Sequence, residues 1–154
     1  MRRCGWEMKV RLRVPDQMII EVGMDFDFAL APDALKTVGA GPCIVVAILN
    51  ETQGEAGLLH TPGAQATGDL DSFLAAFARS EGDSILVLIT GGDTSVDRNG
   101  ADVRGDRKYV QRRVQDAFPE AKIAVRWIYR RSCNVVVTTD PPSITREVEL
   151  LPYY

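Results

Sequence analysis

The run Cys43-Ile-Val-Val-Ala-Ile-Leu49 is almost unbroken by polar residues and rich in β-branched side chains. A strand with no polar alternation has no face to give to water, so it belongs inside a sheet covered on both sides. Whatever this chain folds into must therefore supply two layers around that strand. Asn50-Glu-Thr-Gln-Gly54 after it has the length and composition of a turn, which folds the chain back along Glu55 to Leu59 as a hairpin. The hairpin brings His60, the only histidine in the chain, to the strand end that carries Cys43.

At 154 residues the chain reads as one domain, able to bury about 68–70% of its unfolded surface. Its apolar fraction of 45% and charged fraction of 25% are those of an ordinary globular protein. The net charge of −3, with both signs interspersed, argues against a nucleic-acid binder. Cys43–Leu49 is too short to span a bilayer, so no membrane insertion is expected. Residues 1–17 form a basic lead-in with Arg2, Arg3, Lys9, Arg11 and Arg13, and Glu7 and Lys9 interrupt it before an apolar segment can build. It does not read as a secretory signal. Three scattered cysteines give an odd count and no paired spacing, against a disulfide framework or a zinc site and in favour of a reducing cytoplasm.

Along the chain, Lys9–Val14 alternates as a short edge strand, Met18–Val22 is a firmer one, and Asp25–Phe28 alternates with Phe26 and Phe28 facing inward. Ala31-Pro-Asp33 is a turn leading to Thr37 and the Gly-rich segment Gly39–Pro42. Ala64–Gly68 reads as a polar loop. Asp69–Glu81 is an amphipathic helix, with Leu70, Phe73, Leu74 and Phe77 on one face. Ile85–Ile89 is a buried strand ending in Thr90-Gly91-Gly92-Asp93, and Thr94–Gly105 reads as a surface loop. A second helix runs from Asp106 with Tyr109, Val110, Val114 and Phe118 inward. Strands at Ile123–Tyr129, Val135–Thr139 and Arg146–Leu151 close the chain. Six to eight strands, several joined as hairpins, and two main flanking helices point to a single α+β domain with a mixed sheet or sandwich.

A cysteine opening an apolar run is by default a packing residue. Glycines immediately before it permit a tight turn with open backbone, the setting a reactive thiol needs. His60 taken alone is a satisfied strand-end histidine, and Thr37 an ordinary strand or turn threonine. Held at one sheet end, the three supply a nucleophile, a base and an orienting hydroxyl. Gly91-Gly92-Asp93 reads equally as a plain turn or as a turn at which backbone approaches a ligand near the sheet end. The basic residues of the second helix read as a solvated face.

The segment Thr37-Val-Gly-Ala-Gly-Pro-Cys43 followed by Ile44-Val-Val46, with Gly57-Leu-Leu-His60 closing the returning strand, resembles the motif of the bacterial chemoreceptor glutamine deamidases of the CheD type. Val22-Gly-Met-Asp-Phe26, Thr90-Gly91-Gly92 and Gly105-Asp-Arg-Lys108 are similar to further segments of that family. The resemblance covers residues 18–154 and is specific only between Thr37 and His60. It implies a CheD-like fold and a cysteine-dependent protein-glutamine deamidase with no cofactor and no metal. Cys43 would be the nucleophile, His60 the general base and Thr37 the orienting hydroxyl, with Gly41, Pro42, Gly91 and Gly92 in the vicinity of the substrate or oxyanion. The implied partners are a protein substrate, such as chemoreceptor cytoplasmic helices, and a CheC-type phosphatase.

The sequence also departs from the family. Pro42 stands where the family has a small hydroxyl residue, and proline has no N–H to offer an oxyanion. Lys108 replaces an asparagine, and no Gly-Gly-x-x-x-Arg segment precedes the last strands, where Arg131-Ser-Cys-Asn134 stands. These departures keep a second expectation open, a catalytically weakened CheD-like module that docks onto receptors or a chemotaxis phosphatase.

Overall fold

The computed structural model describes residues 17–95 and 100–150, so the lead-in before Gln17, with its Lys9–Val14 strand and Cys4, lies outside the described residues. The apolar run behaves as its composition requires. Strand β4 (Ile44–Asn50) is buried at every position. Because side chains alternate along a strand, Ile44, Val46 and Ile48 pack to one side and Val45, Ala47 and Leu49 to the other.

Each side has its own cover. β4 is the centre of a five-stranded sheet in the order β2 (Phe26–Leu30), β5 (Glu55–Thr61), β4, β6 (Ile85–Gly91), β7 (Lys122–Trp127). On one face lie helices α1 (Ala64–Thr67), α2 (Asp69–Ala76) and α3 (Gly100–Ala117). On the other lies a four-stranded sheet in the order β1 (Ile19–Glu21), β3 (Ala34–Ala40), β8 (Arg131–Thr139), β9 (Pro142–Leu150). Both sheets are mixed: β1 runs parallel to β3, and β6 parallel to β7 across the α3 crossover, while the remaining pairs are antiparallel. The result is a three-layer α+β domain, helices on a sheet on a sheet.

The predicted hairpin is present. β4 and β5 pair antiparallel with Val45 opposite His60 and Ile44 opposite Thr61. Gly57, the first residue of the Gly-x-x-His segment, is required by packing. A Cβ there would meet the rings of Phe73 and Phe77 at 3.0 Å and Phe28 at 3.2 Å. Those rings form the aromatic part of the helix-side core, Phe28 stacked on Phe73 at 5.5 Å.

Several expected boundaries move. Ala64–Thr67 is helical rather than loop, and Gly68, in the left-handed region at φ 74°, ends α1 and begins α2. α2 stops at Ala76 rather than Glu81, because Phe77 turns extended and Arg79 Nη1 donates to the carbonyls of Leu74 and Phe77. α3 begins at Gly100 rather than Asp106, so Gly100–Gly105 is not surface loop. Gly105 and Asp106 look like a helix start, yet they sit inside it for tertiary reasons. A Cβ at Gly105 would lie 3.0 Å from Gln65 Nε2, and buried Asp106 accepts from Gln65 through both its backbone N–H (3.1 Å) and Nε2 (3.0 Å). β7 ends at Trp127, β8 begins at Arg131 and β9 at Pro142, the last two earlier than the apolar pattern indicated. Among the described residues no helix is long and apolar enough to cross a membrane.

Candidate functional site

Thr37 belongs to a strand rather than to the Gly-rich turn. β3 carries it fully buried opposite Val135, and the register with β8 shifts between Thr37 and Ala40, where Gly39 takes φ 71°. β3 lies in the four-stranded sheet and β5, with His60, in the five-stranded one. On β5, Ala56 and Leu58 point between the sheets, and His60 continues their side of the strand. The two residues meet there: Thr37 Oγ1 lies 2.8 Å from His60 Nδ1.

The second contact of Thr37 decides the proton positions. Its hydroxyl lies 2.7 Å from the carbonyl oxygen of Val22, which can only accept. The single hydroxyl hydrogen is therefore donated to Val22, and Oγ1 accepts from Nδ1–H of the imidazole. His60 is held as the Nδ1–H tautomer, with a bare lone pair on Nε2. Nε2 is buried and, among the described residues, has no hydrogen-bond partner. The backbone of His60 is tied to the same loop, its N–H donating to Asp25 O at 2.9 Å. Burial, with no compensating carboxylate, pushes the His60 pKa below its ordinary 6.5 and keeps the ring neutral.

Cys43 immediately precedes β4 and is 8% exposed. It borders a cleft of about 520 Å3 whose walls include Pro42, Pro62, Gln65, Asp102 and Asp106. Burial raises the Cys43 thiol above its ordinary 9.0, an effect its own backbone N–H partly offsets. The thiol is a neutral S–H, and it is not hydrogen-bonded to His60, whose Nε2 has no partner among the described residues.

The glycines expected near an oxyanion are occupied in bracing Cys43. Gly92 N–H donates to Cys43 O at 2.8 Å, and Asp93 N–H donates to Gly41 O at 2.9 Å. Gly91 takes φ 83°, and a Cβ on it would overlap the Cys43 carbonyl oxygen. The Gly92 amide is thus unavailable to an oxyanion in this arrangement, and Pro42 has no amide hydrogen at all.

Two features of the site were not singled out in the sequence. Asp93 is fully buried and accepts from Ser95 N and Oγ (both 2.9 Å) and Arg130 N (3.1 Å), and so pins the turn that braces Cys43. Arg107, one of the residues assigned to the solvated face of the second helix, instead turns inward. It donates through Nε to Gly92 O at 2.8 Å and lies over the Trp127 ring. An aspartate directly after Gly-Gly at the end of an apolar strand was the available signal for the first; nothing in the local pattern marked the second. Among the described residues no group of three or more His, Cys, Asp or Glu side chains is placed to hold a metal ion.

No protein-family model matches this sequence, and no curated protein matches it. Among solved structures the chain is similar to the Bacillus licheniformis hypothetical protein YfiH, with a TM-score of 0.43 and 15% identity over 79% of this chain and 67% of that one. It is also similar to Neisseria meningitidis protein NMB0706, of the DUF152 family, with a TM-score of 0.47 and 11% identity over 81% of this chain and 66% of that one. Neither is described as a chemoreceptor deamidase.

Proposed function

We propose that this protein is a cysteine-dependent protein-glutamine deamidase similar to the CheD type, with Cys43, His60 and Thr37 as its reacting and orienting groups. One observation carries the reading: the chain Val22 O, Thr37 Oγ1, His60 Nδ1, with a buried and unpartnered Nε2 at its end. A histidine fixed in one tautomer, kept neutral and left with an unused lone pair is a general base waiting for a proton.

A glutamine carboxamide enters the cleft beside Cys43. The Cys43 proton passes to His60 Nε2 as Sγ bonds to the carboxamide carbon. The imidazolium then protonates the amide nitrogen, the C–N bond breaks, and ammonia leaves a thioester. Water attacks the thioester carbon and gives a proton to Nε2, and the C–S bond breaks as that proton returns to sulfur, leaving glutamate. The first step requires the thiol to reach Nε2 when substrate is bound; catalytic hydrogen bonds commonly tighten only in that complex. The protein substrate, chemoreceptor or otherwise, belongs to the proposal. The direct experiment is mass spectrometry of glutamine-bearing target proteins: conversion of amide to acid by the wild type and none by Cys43→Ala supports the reading, and conversion that survives Cys43→Ala contradicts it.

A second reading draws on specific observations. Pro42 lacks an N–H, the Gly92 amide is spent on Cys43 O, and the thiol is raised by burial. These favour a binding module on the same fold, docking onto a receptor or a CheC-type phosphatase with chemistry reduced. Partner capture unchanged by Cys43→Ala, with no deamidation by the wild type, is its signature.

A further inference from the structure

The cleft beside Cys43 has a definite charge. Among the described residues its walls contribute two carboxylates, Asp102 and Asp106, and no lysine, arginine or histidine. The two stand one turn apart on α3, so both face the same space. Asp106 is buried and its Oδ1 accepts from two N–H groups of Gln65, neither of them charged. Asp102 is exposed at the rim. Among the described residues neither carboxylate is paired with a cation: on α3, Arg107 is directed to Gly92 O and Arg113 to Asp71. A cleft of about 520 Å3 is smaller across than two Debye lengths of about 8 Å, so charge on the α3 wall is felt at the thiol on the other.

We propose that Asp102 and Asp106 make the Cys43 cleft selective for cations, so that the substrate is a polypeptide segment with a lysine or arginine next to the target glutamine. The substrate half of this statement rests on the deamidase reading; the electrostatic half does not. A positively charged side chain on the segment finds the two unpaired carboxylates as the carboxamide approaches Cys43. A segment with glutamate or aspartate at that place is repelled by the same pair. Asp102, being exposed, governs approach, while Asp106, held rigid by Gln65, fixes where the cation rests.

The test reads charge preference at the thiol without needing a substrate. Cys43 is modified with trimethylammonioethyl methanethiosulfonate, a cation, and with sulfonatoethyl methanethiosulfonate, an anion; modification is located to Cys43 by peptide mass spectrometry, and each rate is divided by that of the same reagent with free cysteine, whose anionic thiolate itself favours the cation. The cationic reagent is expected to react faster, and the ratio of rates to fall about three- to tenfold in Asp102→Asn, further in the Asp102→Asn, Asp106→Asn pair, and towards one in high salt. A ratio of one in the wild type, or a ratio unmoved by Asp102→Asn, overturns the proposal. Because each variant is its own reference, a general change in thiol reactivity cancels. The substrate arm uses glutamine peptides flanked by lysine or by glutamate. Faster deamidation of the lysine peptide, with the preference lost in Asp102→Asn, is expected. Equal rates on the two peptides overturn the substrate half. No deamidation of either peptide, with the reagent ratio intact, rejects the deamidase reading and leaves the cation selectivity of the cleft standing.

Discussion

Thr37 accepts a hydrogen bond from His60 across the gap between two β-sheets, 2.8 Å from Oγ1 to Nδ1, and donates its own proton to Val22 O at 2.7 Å. The interaction is both a strut between layers and the device that leaves Nε2 bare, so its removal has two separable consequences.

Thr37→Val keeps the shape and deletes the hydroxyl, stranding a buried carbonyl and a buried imidazole N–H. A stability loss of about 1–3 kcal/mol is expected, measured by chemical denaturation. The same variant frees the imidazole to change tautomer and so lowers Cys43 reactivity at neutral pH. Thr37→Ser restores the hydroxyl and recovers most of both. Recovery of stability without recovery of reactivity would separate the strut from the orienting role.

The neutral ring of His60 makes stability depend on pH in a defined sense. Its folded pKa lies below the ordinary 6.5 because burial disfavours the cation. The contribution is complete above 6.5; as pH falls below that value the unfolded chain takes up a proton that the folded site refuses, and stability drops. The thiols of Cys43 and Cys133 act at the other end. Both are raised by burial, so stability also declines as pH climbs past 9.0, where the unfolded chain releases protons the folded state keeps. Denaturation midpoints between pH 7.5 and about 5, above most of the carboxylate range, should fall in the wild type and fall less in His60→Gln. Equal slopes in the two proteins would mean that His60 titrates normally.

Gly91→Ala tests whether the Gly91-Gly92 turn braces Cys43. Alanine at φ 83° carries the left-handed penalty, about 1–2 kcal/mol, and its Cβ would press on the Cys43 carbonyl oxygen. A loss of about 2–5 kcal/mol is expected once overpacking is added. The thiol's alkylation rate should change in the same variant, since the carbonyl that must move is its own. Tolerance of alanine with unchanged stability would contradict the packing described.

How much of this was legible in the sequence follows from the range of each signal. The absence of alternation in Cys43–Leu49 announced burial on both faces, and turn composition at Asn50–Gly54 announced the hairpin, whose register sets Val45 opposite His60. Both are local patterns. The resemblance grouped Thr37 with Cys43 and His60, but neither it nor periodicity revealed that Thr37 comes from the other sheet, or that Val22 completes the chain. A contact between layers leaves no trace in neighbouring residues. The start of α3 was missed for a related reason. Gly105 and Asp106 look like a helix boundary, and only the approach of Gln65 from α1 explains a glycine and a buried aspartate inside the helix. Gly91 was expected near the substrate or oxyanion and Gly57 belongs to the motif, and their surroundings show that space for the Cys43 carbonyl and for Phe73 is what each supplies.

The most direct test of the central claim is the rate of Cys43 alkylation against pH, in the wild type and in His60→Ala, with modification located by peptide mass spectrometry. If His60 Nε2 serves as the base for Cys43, the wild type shows a shoulder of reactivity well below the thiol's own titration, and His60→Ala loses it, reacting only as pH approaches the raised pKa of an isolated buried thiol. A single titration above about 8.5, the same in both proteins, would leave Cys43 a packing residue and contradict the claim.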